Sequence, residues 1–151
     1  MITTNVASIF KIGSAGYPCA IVSLNQLDAD EGIVINFIAG VAPAATTTVK
    51  VVAIDYALDS IGTTILAEIA GNTYYSLNSG TAATRNLGDL TFNFTAASGK
   101  LENRIFIKPG VASGGITFPT VMPRQLAFVF TNAALVLKEV YHSRRNHPVS
   151  P

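Results

Sequence analysis

Few side chains in this sequence are equipped for chemistry, and their spacing keeps them apart. There are two histidines, His142 and His147, and one cysteine, Cys19. Nucleophilic catalysis needs a base held within hydrogen-bond reach of the nucleophile. Both histidines fall where the chain loses its core pattern and runs into Arg144-Arg145-Asn146-His147-Pro148-Val149-Ser150-Pro151. A loose tail cannot hold a base in place, so neither histidine is assigned a catalytic role. Cys19 opens an apolar stretch, the usual setting of a small buried hydrophobe. A single cysteine also excludes an internal disulfide and a thiolate zinc cluster, and it fits assembly in a reducing cytosol.

The carboxylates offer little more. Asp28, Asp30 and Glu31 crowd one turn that could present oxygens to a cation. The order of ligands that a helix-loop-helix calcium site requires is broken there, so a solvated acidic turn is the reading adopted. Asp55, Asp59 and Glu68 are the candidates for acid/base work. Asp55 and Glu68 interrupt apolar stretches, where Lys50, Arg85 or Arg104 would supply a structural ion pair. Gly13-Ser14-Ala15-Gly16 lacks the Lys-Ser/Thr of a phosphate-binding loop and the third glycine of a dinucleotide fingerprint. No catalytic residue, cofactor or metal ligand is therefore assigned, and the chain is expected not to be an enzyme.

The elements that would position these groups read as strands. Leu90-Thr91-Phe92-Asn93-Phe94-Thr95 alternates apolar and polar residues, the period of two of a half-buried strand. Arg104-Ile105-Phe106-Ile107-Lys108 sets Ile105 and Ile107 on one face, with Phe106 and its flanking charges on the other. The intervening Ala96 to Lys100 contains a glycine and suggests a hairpin. Ala20 to Leu27 and Gly32 to Ala39 form a second expected pair around the acidic turn. Thr46 to Tyr56 is apolar on both sides, as in a buried strand. Gln125 to Thr131 alternates Leu126, Phe128 and Phe130, and Thr73 to Leu77 is a further short strand. Thr64 to Ala70 resembles a capped short helix. Asn132 to His142 fits a helix or a strand. We read it as a strand with Leu135, Leu137 and Tyr141 on one face. Gly- and Pro-bearing loops separate these pieces. The expected fold is mainly β: an antiparallel sandwich, jelly roll or barrel with at most one or two short helices.

Length and composition set the rest. The 151 residues suit one domain. Apolar residues make up 49% and charged residues 13%. That balance argues against disorder and leaves more apolar surface than one small core hides. The longest uninterrupted apolar run, Ala133 to Leu137, is far too short to span a bilayer, and no membrane partner is expected. Met1 to Asn5 has neither a basic nor an apolar leader region, so secretion is not expected. The net charge of +1 divides into four basic and eight acidic residues up to Asn103, and six basic residues against Glu139 from Arg104 onward. This polarity suits contacts between subunits. Ten scattered basic residues make no nucleic-acid stripe. Tyr74 and Tyr75 are candidates for stacking on a sugar, though neighbours on a strand face opposite ways.

Three stretches follow from this. Residues 1–12 are an N-terminal arm or first strand. Residues 13–142 form the β domain, and residues 143–151 a flexible basic tail. Ser8-Ile9-Phe10-Lys11-Ile12 has the alternation of an edge segment that either joins its own sheet or adds to a neighbour's. Ile9, Phe10, Ile12, Arg144 and Arg145 are the candidate partner contacts.

In texture the chain resembles small virion proteins of tailed bacteriophages, above all capsid decoration (cement) proteins. The residues that carry the likeness are Met1-Ile2-Thr3-Thr4-Asn5, Thr/Ala/Gly-rich stretches such as Thr46-Thr47-Thr48, and the basic end. The resemblance implies β-rich knobs, often trimers, that clamp neighbouring subunits of a major capsid protein on the outside of a shell. A homo-oligomer located in the virion is then expected, assembled in the host cytoplasm. The competing reading is a carbohydrate- or receptor-binding β-sandwich on a virion or cell surface.

Overall fold

A computed structural model describes residues 4–12, 16–24, 31–41, 46–54, 86–94, 101–119, 122 and 125–146. These residues form eleven strands and, among them, no helix: β1 Thr4–Val6, β2 Ser8–Ile12, β3 Tyr17–Ser23, β4 Glu31–Val41, β5 Thr47–Ile54, β6 Asn86–Phe92, β7 Glu102–Ile107, β8 Ala112–Ser113, β9 Ile116–Thr117, β10 Gln125–Phe130 and β11 Val136–Asn146. Two antiparallel sheets face each other. Sheet A has the order β1-β11-β4-β7 and sheet B the order β2-β3-β10-β5-β6. The fold is the mainly β sandwich expected. The helix expected over Thr64 to Ala70 and the strand over Thr73 to Leu77 lie outside the described residues.

Alternation builds the core. Ile33, Ile35, Phe37 and Ala39 of β4 point inward from sheet A, with Ile105 and Ile107 of β7. Ala20, Val22, Val49, Val51, Leu90, Phe92, Leu126, Phe128 and Phe130 meet them from sheet B. Phe37 is the keystone. Its ring lies 5.1 Å from Phe128, 5.2 Å from Phe92 and 5.4 Å from Phe130, in tilted and edge-on arrangements. Those geometries satisfy the ring quadrupoles better than flat stacking does. The amide of Asn103 on β7 donates to the Asn93 carbonyl after β6 at 3.3 Å, a polar tie between the sheets.

The pairings differ from those the sequence suggested. β3 and β4 were expected to pair around the acidic turn, but they belong to different sheets. β6 and β7 do as well. Both connections cross between layers. Turn residues mark where a strand stops; they do not say whether the chain returns in the same sheet or in the opposite one.

The smallest hairpin was read only as a loop. Ala112-Ser113 pairs with Ile116-Thr117 through Gly114 and Gly115, whose φ angles are +61° and +89°. Two successive left-handed residues make the turn whose twist matches the strands, and glycine adopts it without strain.

β11 also departs from expectation. It begins at Val136 and runs to Asn146, pairing throughout with β4. Register shifts lie between Val136 and Leu137 and between Leu137 and Glu139. Leu137 therefore pairs with Ala39 and Val140 with Phe37, both inward. The bulge moves Tyr141 onto the opposite face, opposite Asn36. Leu137 and Tyr141 do not share a face, as plain alternation would have them do.

The expected tail is shorter at its start. Ser143, Arg144, Arg145 and Asn146 pair with Val34, Ile33, Gly32 and Glu31. They are strand residues, not a flexible extension. The segment Ser8 to Ile12 is the domain's own strand, paired with β3 from Ser8 opposite Ile21 to Ile12 opposite Tyr17. Just before it, β1 pairs with β11 in the other sheet, and the Ala7 amide donates to the Val140 carbonyl at 2.9 Å. The nine residues Thr4 to Ile12 thus stitch one sheet to the other.

Candidate functional site

The groups that chemistry would use lie in structural positions. Cys19, in the middle of sheet B, has no exposed surface, and burial pushes its thiol up to about 12. It stays protonated near neutrality, and a thiol without its thiolate is neither nucleophile nor strong ligand. His142 is not at the start of a tail. It stands within β11, opposite Ile35 and beside Asn5 of β1, and is 8% exposed. Desolvation lowers its pKa from 6.5, favouring the neutral ring. Of the acidic turn only Glu31 is described. Asp28 and Asp30 lie outside the described residues, as do Asp55, Asp59, Glu68, Tyr74, Tyr75, Arg85 and His147. Lys50, expected to pair with a buried acid, lies 3.8 Å from Asp89 across β5 and β6. Among the described residues no three His, Cys, Asp or Glu side chains cluster as metal ligands. Among them too, no helix is long and apolar enough to cross a membrane.

The expected partner contacts separate. Ile9 packs against the core. Phe10 is half-buried on the other face of β2, opposite Cys19. Ile12 is placed only by its pairing with Tyr17, and Arg145 by its pairing with Gly32. Arg144 is anchored, contrary to its expected place in a free tail. Its guanidinium donates to the Leu24 carbonyl and lies 3.7 Å from the Glu31 carboxylate. It joins the end of sheet A to the end of β3.

A pocket of about 450 Å³ opens where the chain crosses from β1 to β2, with Val6, Ser8, Phe10, Ser23, Gln125 and His142 in its walls. Gln125 is 8% exposed, and its Oε1 has no hydrogen-bond partner. The sequence marks this position only by a polar residue opening an otherwise apolar strand.

The two sheets differ most on their outward faces. Residues paired directly across antiparallel strands share a face. On sheet B that rule places Cys19, Ile21, Val52, Ala127 and Val129 together, away from the central core. All five are between 0 and 7% exposed. All six residues of β10 are buried. The centre of sheet B is therefore covered on its second face as well, whereas Lys50, Asp89 and Ser8 share that face and are half-buried or exposed. On sheet A the same rule groups Val34, Asn36 and Ile38 of β4 with Glu102, Arg104 and Phe106 of β7. Tyr141 and Val6 continue that surface. Phe106 is 42% and Val6 68% exposed, while Val34, Ile38 and Tyr141 are half-buried. Arg104 donates from Nε to Asn36 Oδ1 at 2.8 Å.

Comparison with known proteins adds little. No protein-family model matches this chain, and no curated protein does. Among solved structures, the coat protein dimer of Tobacco streak virus is similar over all of this chain and 89% of its own, at 9% identity and a TM-score of 0.38.

Proposed function

We propose that this chain is a non-catalytic structural subunit of a virion that stabilises a protein shell by binding neighbouring subunits, in the manner of a capsid decoration protein. The contrast between the two sheets carries this reading. A sandwich needs only one buried face per sheet. Here the centre of sheet B, at Cys19, Ile21, Val52, Ala127 and Val129, is buried on its second face as well, while the open face of sheet A keeps Phe106 and Val6 exposed beside three half-buried apolar or aromatic residues. Such a surface is suited to cover by another protein. The described polar groups favour structure over turnover. The thiol is locked as a thiol, and Arg144 and Lys50 are in ion pairs. On this reading the chain forms a homo-oligomer, engages a major capsid protein, and acts in the virion after assembly in the host cytoplasm.

Multi-angle light scattering across a wide concentration range tests the reading. A discrete oligomer is expected, together with retention on shells of its cognate capsid protein in co-sedimentation. A strict monomer that also fails to co-sediment would remove the proposal.

A further inference from the structure

The open face of sheet A has a charge pattern that another copy of the same face would satisfy. Glu102 and Arg104 are two residues apart on β7, both exposed, and neither is in an ion pair among the described residues. The Nε bond to Asn36 leaves the Nη groups of Arg104 free to meet a carboxylate. The register puts Arg104, Asn36, Tyr141 and Val6 in one row across the sheet. The next row holds Glu102, Ile38 and Glu139. A twofold axis lying in the interface, perpendicular to the strands and between these rows, exchanges one row for the other. Arg104 of each copy then faces the partner's Glu102. The Tyr141 hydroxyl faces the partner's Glu139, and Asn36 lies over the partner's Ile38. Each Arg104 and Glu102 then gains an opposite charge, and each Glu139 a hydroxyl donor. A twofold interface uses the same patch on both subunits, so it demands this self-complementarity.

From this we infer that two copies of the chain dock sheet A to sheet A, with reciprocal Arg104–Glu102 pairs across a twofold axis. The inference rests on the proposed role as a shell subunit and names the surface used. A foreign partner would need only one matching sign, and a face of uniform charge would repel its own copy. The alternation of acid and base along β7 suits neither a nucleic acid nor an anionic membrane.

Sedimentation velocity on the full chain and its charge variants tests the idea. Arg104→Glu sets four carboxylates together along the two facing β7 strands and is expected to weaken self-association by at least about tenfold, because like charges meeting at an interface are strongly unfavourable. The exchange Glu102→Arg with Arg104→Glu restores opposite pairs and is expected to restore association. Raising the salt concentration weakens the wild-type dimer by screening. Circular dichroism on each variant confirms folding, as these side chains are exposed. If wild type associates and Arg104→Glu associates equally well, this docking mode is overturned while the shell role stands. If wild type is monomeric with and without capsid protein, the role itself fails.

Discussion

Sheet B and sheet A share one core but not one solvent history. The centre of sheet B is buried on both faces, so β10 carries an unbroken apolar run after Gln125, Leu126-Ala127-Phe128-Val129-Phe130. Sheet A hides one face, so β7 alternates strictly between exposed and buried. The difference teaches that a run and an alternation can come from one sandwich. It also separates residues that hold the fold from residues left at the surface.

Four substitutions or conditions probe that division, beginning with the strongest. Phe37→Ala removes the ring that sheet A inserts among three phenylalanines of sheet B, and a loss of about 3–5 kcal/mol is expected in urea unfolding. A loss no larger than that of an exposed substitution would mean that the sheets are not joined there. Val129→Thr places a hydroxyl on the second face of sheet B, where Val129 is 1% exposed, and should destabilise by about 1–3 kcal/mol. A neutral result would show that this face meets water. Phe106→Ser, on the open face of sheet A, is expected to change monomer stability by no more than about 1 kcal/mol while lowering association. Gly32→Ala should act in the same place, lowering association less than Phe106→Ser does. An added Cβ collides with the Phe106 ring, which can swing away into solvent, and comes to 3.3 Å from the Ile107 carbonyl oxygen.

Acidification gives a finer test. The native His142 has a lowered pKa because burial disfavours its charge, and Arg144 stands two residues along the same face of β11. As pH falls through 6.5 the unfolded chain takes up the proton first. Stability therefore declines until the native pKa is passed, then levels off. His142→Gln should remove that part of the pH dependence. Thermal melts of both proteins between pH 7.5 and 4.5 would show it as a narrowing gap. A constant difference across the range would mean that the imidazole is solvated.

Strand positions were legible in the sequence because period and burial agree over short spans. Leu90, Phe92 and Phe94 alternate as read, and Ile105 and Ile107 lie inward with Phe106 outward. The pairings were not legible. β3 and β4 looked like a hairpin because a turn-rich segment joins them, yet nothing local specifies which sheet accepts the returning strand. The bulge in β11 was equally silent. One extra residue re-aims Tyr141, and its cause is the fit to β4, some hundred positions earlier. The exposed apolar surface was half visible. Surplus apolar composition pointed to it, and Phe106 and Val6 supply it, whereas Ile9 and Arg144, the residues first chosen, make contacts inside the fold. Arginine in a polar, proline-rich ending reads as tail unless its carbonyl partner, here Leu24, is already in view.

The first strand has a consequence for timing. Thr4 pairs with Ser143, Asn5 with His142 and Val6 with Tyr141. During synthesis these opening residues must wait on the ribosome until their partners, nearly the whole length of the chain away, have emerged. Contacts so distant in sequence slow folding. The open edge of β11 is the last to close, and a nascent chain cannot complete sheet A. A chain halted before β11 therefore lacks the strand that joins β1 to β4.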